Sequence, residues 1–426
     1  MISGRALSCV ALAALLAGCG TSGTVQGGND AFTATTLTVY SDLPLLGPDG
    51  ARMSEIVGGE MLALYDHGGH VGRLHISLQS LNDYADPSVS DPLLPDPLRS
   101  PSLQIGQSAH TASSDLSTAA YIGDYDSDAT WISLTLNNQN EILQVSPGSS
   151  YVGFTDANPA DLAGDPGAFD PYGRRSFARL VPSDALEARA IVSWMRGLGV
   201  KRLGLLADNS NPAYDTVIAK LVAADAPAAG ITVVANRAGV DTTAPAGAGA
   251  YAKLAGSLAP AAPDAVLLGG VPNAGAQALW RALHTAMPRA KLFAPSTLAA
   301  PSFLSGLGAA ARVTYVTSPI LAPSQYPPAA QRVFAEYRRL LGAAPSVYAL
   351  YGYDAMNDIL AAIRRAGRQA ANRTVLLRSF FALGRSGFHG VLGNYTINAN
   401  GDTSLARFDG YRVGSAGQLV PARPIG

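Results

Sequence analysis

AAYIGDYDSDATWISLTLNNQNEILQVSPGSS, residues 119–150, is the stretch that decides the fold class. Its opening run, 119–122, is apolar, of strand length and closed by Gly123. A polar loop follows, then a segment that can be helical from Ala129, then a second apolar run at 142–145 closed by Pro147 and Gly148. Strand, loop, helix and strand in that order predict a parallel βαβ unit. The loop that carries Asp124, Asp126, Ser127 and Asp128 leaves the carboxyl end of the first strand, where sheets of this class bind their ligands.

The same alternation runs outward in both directions. Upstream, strands are predicted at 37–40 and 74–78, with helical spacing of Ile56, Met61, Leu62 and Tyr65 between them. Downstream, a second series begins after Pro182, with helices over 185–198 and 217–226 and strands at 202–206, 231–235 and 265–268. Strands near Leu292 and Val313, helices over 331–341 and 348–366, and a hairpin-like stretch around Tyr395 and Phe408 complete the reading. A chain of 426 residues exceeds what one hydrophobic core usually organises, so the two series predict two similar α/β lobes of mostly parallel sheet. Residues 84–102 hold five prolines and read as a surface insertion, and 158–173 as another long loop.

Composition narrows the function. Basic and acidic residues balance at 30 against 31 with no charged block, which leaves nothing to neutralise the phosphates of a nucleic acid. At the amino end, Arg5 precedes an apolar run over 6–17 that is too short to span a bilayer, and Leu16-Ala17-Gly18-Cys19 follows. That pattern resembles a bacterial lipoprotein signal. It implies removal of residues 1–18, a lipid on Cys19 as the membrane anchor, and a Gly-rich flexible tether over 19–35. The other cysteine, Cys9, falls in the removed segment, so the mature chain has no disulfide to form.

Several separate motifs resemble one family, the type 1 periplasmic binding proteins, in particular the branched-chain amino-acid (Leu/Ile/Val) binding group of ABC importers. They are Asp42-Leu43-Pro44-Leu45-Leu46-Gly47-Pro48, Gly68-Gly69-His70-Val71-Gly72-Arg73, Ser146-Pro147-Gly148-Ser149-Ser150, Arg179-Leu180-Val181-Pro182-Ser183-Asp184, Tyr353-Asp354-Ala355, Phe388-His389-Gly390 and Asn400-Gly401-Asp402. The resemblance implies two Rossmann-like lobes joined by three hinge crossings around a ligand cleft. Lobe I would take 36–180 plus 319–392, and lobe II 181–318 plus 393–426. The chain would be a monomeric binding protein, not an enzyme, that needs no cofactor and hands a small solute to an ABC permease.

The same resemblance implies the ligand-binding residues. Ser127 would cap a helix whose amino end seats a carboxylate, Ser149 and Ser150 would hold that group, and Tyr214 would pack across the ligand on closure. Where amino-acid binders place a Glu for the ligand ammonium, this chain reads Ala294-Pro295-Ser296-Thr297, and no carboxylate occurs from 265 to 335. Ser296 and Asp208 are the candidates there. Val271 replaces a cleft aromatic, and Arg52 is expected as an exposed loop residue or as a partner for an acid. These departures point away from a plain branched-chain amino acid and toward another small polar, amino-acid-like or carboxylate-containing solute.

Other chemistry is excluded by missing parts. Asp124, Asp126 and Asp128 have the spacing of a calcium loop, but Ala129 and Thr135 stand where it requires Gly and Glu. His67 and His70 lack a third ligand nearby, so no metal is expected. There is no nucleophile elbow, phosphate loop or dinucleotide fingerprint. The alternative function is a regulatory or sensor lipoprotein of the same fold, with the cleft or its rim binding a protein.

Overall fold

Two sheets organise the chain in the computed structural model, which describes residues 35–47, 49–84, 101–157, 165–209, 212–243 and 248–425. The expected signal segment, Cys19, the tether up to residue 34 and most of the 84–102 insertion lie outside the described residues.

The first sheet contains β1 (Thr36–Leu43), β2 (His70–Val71), β3 (Leu74–Asn82), β4 (Thr118–Gly123), β5 (Leu143–Ser146) and β6 (Phe177–Arg179) in the order β2-β3-β1-β4-β5-β6. All its pairs are parallel except β2 with β3. β1 and β4 are buried along nearly their whole length, which is why β4 reads as an apolar run over 119–122, while β1 also buries Thr38, Ser41 and Asp42.

The second sheet contains β7 (Arg202–Asp208), β8 (Thr232–Val240), β9 (Ala265–Gly269), β10 (Lys291–Ala294) and β11 (Thr314–Ser318), all parallel in the order β8-β7-β9-β10-β11. A small hairpin, β12 (Phe388–His389) with β13 (Asn394–Tyr395), stands apart from it. β14 (Phe408–Val413) extends the second sheet antiparallel to β11, and β15 (Leu419–Ile425) pairs antiparallel with β14 at its edge. Tyr395 and Phe408, expected in one hairpin, therefore belong to two. Tyr395 packs beside Phe388 in the core of the first sheet, whereas Phe408 pairs with Ile425.

Helices cover the sheets: α1 (Gly50–Asp66), α2 (Pro101–Ser114), α3 (Ser127–Gln139), α4 (Asp184–Gly197), α5 (Pro212–Asp225), α6 (Ala248–Leu258), α7 (Ala274–Ala286), α8 (Pro301–Leu304), α9 (Pro328–Leu341), α10 (Tyr348–Ala366) and α11 (Arg373–Ser386). Asn273 and Asn372 cap α7 and α11 by accepting the N–H of Ala276 at 2.7 Å and of Val375 at 3.1 Å. α9, α10 and α11 pack on the first sheet, with Met356, Ile359, Leu360, Ile363 and Phe380 in its core. The segment expected as a loose loop over 158–173 is anchored in its described part. Phe169 is buried there and meets Trp131 edge-on with ring centres 4.7 Å apart.

The chain passes between the sheets three times: from β6 to α4, from β11 to α9, and from β13 to β14. Arg179 ends β6 and is fully buried at the first crossing. Its Nε donates to Asp402 Oδ1 at 2.8 Å on the third crossing, and its Nη1 donates to the carbonyl of Tyr151 at 2.8 Å. Nη2 donates to the Thr155 hydroxyl. One guanidinium thus pins two crossings to the loop after β5.

Candidate functional site

In the first sheet the strand order reverses at β1, which lies between β3 and β4; in the second it reverses at β7, between β8 and β9. Crevices of α/β sheets open at such points, beyond the carboxyl ends of the strands. A cleft of about 380 Å³ lies there, lined from one side by residues after β1, β4 and β5 and from the other by residues after β9, β10 and β11. Cavities of this size suit small molecules.

On the first wall, Ser127 opens α3 directly after β4. Its Oγ accepts the backbone N–H of Ser150 at 3.2 Å and of Tyr151 at 3.1 Å, and the Ser149 hydroxyl donates to it at 3.3 Å. Ser127 and Ser150 line the cleft, while Ser149 is fully buried behind them and is not part of the lining. The N–H groups of Ser150 and Tyr151 are therefore held by a serine hydroxyl of the protein. Tyr125 flanks them, and Tyr348 at the start of α10 lies 6.2 Å from it, ring centre to ring centre. Gly148 is required beside Tyr125, because a Cβ there would overlap the tyrosine ring.

Arg52, expected in an exposed loop, stands in the first turn of α1 and faces the cleft. It pairs with Asp49 at 2.6 Å and donates to the Tyr348 hydroxyl at 3.3 Å, with its guanidinium 5.5 Å from the centre of that ring. Partial burial opposes the Arg52 charge, and Tyr348 and Asp49 more than offset it, so its pKa is raised.

The second wall corrects the expectation that it has no carboxylate. Glu187, in the first turn of α4, lines the cleft at 2 % exposure. It accepts the Ser296 N–H at 2.6 Å and hydroxyl at 2.7 Å, and the Thr317 hydroxyl at 2.7 Å. Ser296 lines the cleft and orients this acid. Asp208 does not line it: at the end of β7 it accepts the N–H of Asn209 at 2.7 Å and both the N–H, at 3.2 Å, and the hydroxyl of Thr242, tying β7 to the segment after β8. α5 begins at Pro212, and the side chain of Tyr214 lies outside the described residues.

Behind the first wall, Asp42, Asp83 and Asp124 are buried together, with one oxygen of each within 4.8 Å of the others. Tyr121 has one hydroxyl proton to give and lies 2.8 Å from Asp42 Oδ2 and 3.0 Å from Asp124 Oδ1. Ser133 and Gln144 also donate to Asp124, while among the described residues Asp42 Oδ1 and Asp83 Oδ1 accept no hydrogen bond. Burial pushes Asp42 up to about 6. Burial, then the Asp124 and Asp42 charges, push Asp83 up to about 9, and burial with Asp42 raises Asp124 well above the usual range.

A carboxyl whose folded pKa is raised binds a proton in the native state that the unfolded chain has already lost, so stability falls as pH rises from about 4 toward 9. Asp83→Asn removes that penalty. At pH 8 the variant is expected to be more stable than the parent by ~1–3 kcal/mol, the scale of a buried unsatisfied group, and near equal to it at pH 4. Urea midpoints at the two values check this, and an equal difference at both would contradict it.

A family profile described as periplasmic binding protein matches residues 120–404. No curated protein matches the chain in sequence. Among solved structures, a leucine-binding protein from Thermotoga maritima superposes with a TM-score of 0.71 at 19% identity, covering 92% of this chain and 99% of its own. An ABC transporter substrate-binding protein from Desulfitobacterium hafniense in complex with Leu gives 0.69 at 18%, covering 91% and 100%. A solute-binding protein of an ABC transporter from Rhodopseudomonas palustris, in complex with 3,4-dihydroxybenzoic acid, gives 0.66 at 16%, covering 92% and 97%. At these identities the likeness establishes the shared two-lobed α/β fold.

Proposed function

Because the chain belongs to the periplasmic binding protein family, we propose that it captures a small polar, amino-acid-like solute outside the cytoplasmic membrane and delivers it to the permease of an ABC importer. The observation that carries this reading is the cleft, built from the carboxyl ends of two parallel sheets and lined by polar groups from both. Residues 36–180 with 319–392 and 181–318 with 393–426 act as the two lobes, and three crossings let them close. A solute that touches both walls binds the closed form more tightly and shifts the population toward it.

On this reading the chain is a binding protein and not an enzyme, acting as a monomer and holding no cofactor. Cys19 carries the lipid that tethers it to the membrane. Ser127 and Ser150 shape the first wall, Arg52 is the lining cation that a solute carboxylate would meet, and Glu187 with Ser296 faces a donor group from the second wall. The fold supports this role, since the superposing structures are solute-binding proteins of ABC transporters.

A thermal-shift screen of the purified chain against amino acids, amines, amides, carboxylic acids and sugars tests it. One compound class is expected to raise the unfolding midpoint, because a ligand that binds only the folded state stabilises it by mass action. A flat response across all of these classes would contradict solute capture.

A further inference from the structure

A second cavity, of about 360 Å³, lies at the end of the first sheet opposite the cleft and shares no lining residue with it. One wall is α11, whose first residue, Arg373, donates to the carbonyls of Thr118 and Asn140, at the amino ends of β4 and β5. From this helix Leu377, Arg378, Phe381 and Arg385 face the cavity. The other wall is Arg174 and Arg175, just before β6, which runs parallel to β5.

Four arginines thus surround one cavity, and no acid is among the lining residues. The concentration is local, since basic and acidic residues balance at 30 against 31 over the whole chain. Two of the four are matched from behind. Arg174 pairs with Glu141, which also accepts the Thr374 hydroxyl, and Arg175 meets Asp170 at 3.4 Å while donating to the Phe154 carbonyl at 3.3 Å. Arg378 and Arg385 are exposed, and among the described residues neither has an ion-pair or hydrogen-bond partner. They stand two turns apart on one face, about 10 Å along the axis. α11 holds no acid that could offset them at helical spacing. The helix dipole favours Arg385, in the last turn, but gives no reason for Arg378 near the middle or for the arginines opposite. Leu377 and Phe381, both buried, form an apolar floor between the two free guanidinium groups.

The excess is two positive charges in a concave site. A phosphate monoester carries a charge of about −1.5 to −2 at neutral pH, which cancels that excess, whereas a single carboxylate cancels half of it. Its oxygens also accept paired N–H donors from guanidinium groups in more than one direction. We infer that this cavity binds a monoester phosphate group, independently of the solute in the cleft. Arg378 and Arg385 donate to its oxygens, and Arg174 and Arg175 close the opposite side. The group arrives either on a free organic phosphate or as the headgroup of a phospholipid.

Two measurements on the full chain test this: calorimetric titration with glycerol 3-phosphate, and sedimentation with phosphatidylcholine vesicles that contain or lack phosphatidic acid. Glycerol 3-phosphate is expected to bind, or phosphatidic acid to raise the sedimented fraction, and either effect should weaken as salt rises. Arg378→Gln and Arg385→Gln are each expected to weaken that binding roughly tenfold, the scale of one charge-assisted hydrogen bond, with the urea midpoint unchanged. Arg338→Gln, at an exposed position of α9 outside the cavity, removes the same charge and should bind as the parent does. Binding of glycerol 3-phosphate assigns the site to a free compound, and a response to phosphatidic acid alone assigns it to the headgroup. Binding of neither, or an Arg378→Gln chain that binds no differently from the Arg338→Gln control, would overturn the assignment.

Discussion

Arg179→Met is expected to lower the unfolding free energy by about 3–5 kcal/mol, the range for removing one partner of a buried, hydrogen-bonded charge pair. Arg179 is fully buried, and its guanidinium joins Asp402 on the third crossing, the Tyr151 carbonyl and the Thr155 hydroxyl. Methionine fills most of the volume and supplies none of the donors, which leaves Asp402 without its charged partner and frees the loop after β5 from the crossing. Arg179→Lys should recover only part of the loss, because one ammonium cannot reach in three fixed directions. Urea denaturation followed by tryptophan fluorescence reads both variants, and a loss under about 1 kcal/mol for Arg179→Met would show that the crossing does not depend on this residue.

Gly352→Ala is expected to destabilise the chain by about 2–3 kcal/mol, against the sign that helix propensity assigns to it. Gly352 lies inside α10, and a Cβ there would overlap the backbone carbonyl of Ile56 in α1. The reciprocal contact is just as tight, since a Cβ on Gly59 would overlap the carbonyl of Ala349. The two helices can cross at this distance only with glycine at both points. Gly106→Ala in α2 is the control, because no atom lies within 4 Å of its added Cβ. That change should stabilise by about 0.5–1 kcal/mol through helix propensity alone. Equal effects at the two sites would mean that α1 and α10 do not pack as closely as described.

Much of the fold was legible in the sequence because its strands are buried on both faces. Ala265 to Leu268 and Ala119 to Ile122 could only be runs of apolar residues, and each proved to be a strand within one or two residues. The carboxyl end of the sequence was less readable. Tyr395 and Phe408 both sit in short strands, but their partners, Phe388 and Ile425, are set by which sheet each strand joins. Local pattern does not encode that choice.

The site was legible on one wall and less so on the other. Ser127 and Ser150 follow strands whose ends could be placed, so their position on the wall followed from topology. Their roles did not, since the Ser127 hydroxyl turned out to accept protein N–H groups. Glu187 had no signal of its own: an acid in the first turn of a helix is ordinary, and its meeting with Ser296 spans 109 residues of sequence. Asp208 ends β7, two residues beyond the strand expected there, and Thr242, 34 residues further on, bonds it away from the lining.

The central claim is that one solute binds per chain, in this cleft. Val271 lines the second wall after β9, and Val271→Trp would fill the space a solute needs. The decisive measurement is calorimetric titration of the parent and of Val271→Trp with whichever compound raises the unfolding midpoint. The account predicts one-to-one binding by the parent and none by a Val271→Trp chain that still unfolds cooperatively. Equal affinity in the two chains would place the solute elsewhere and contradict the account.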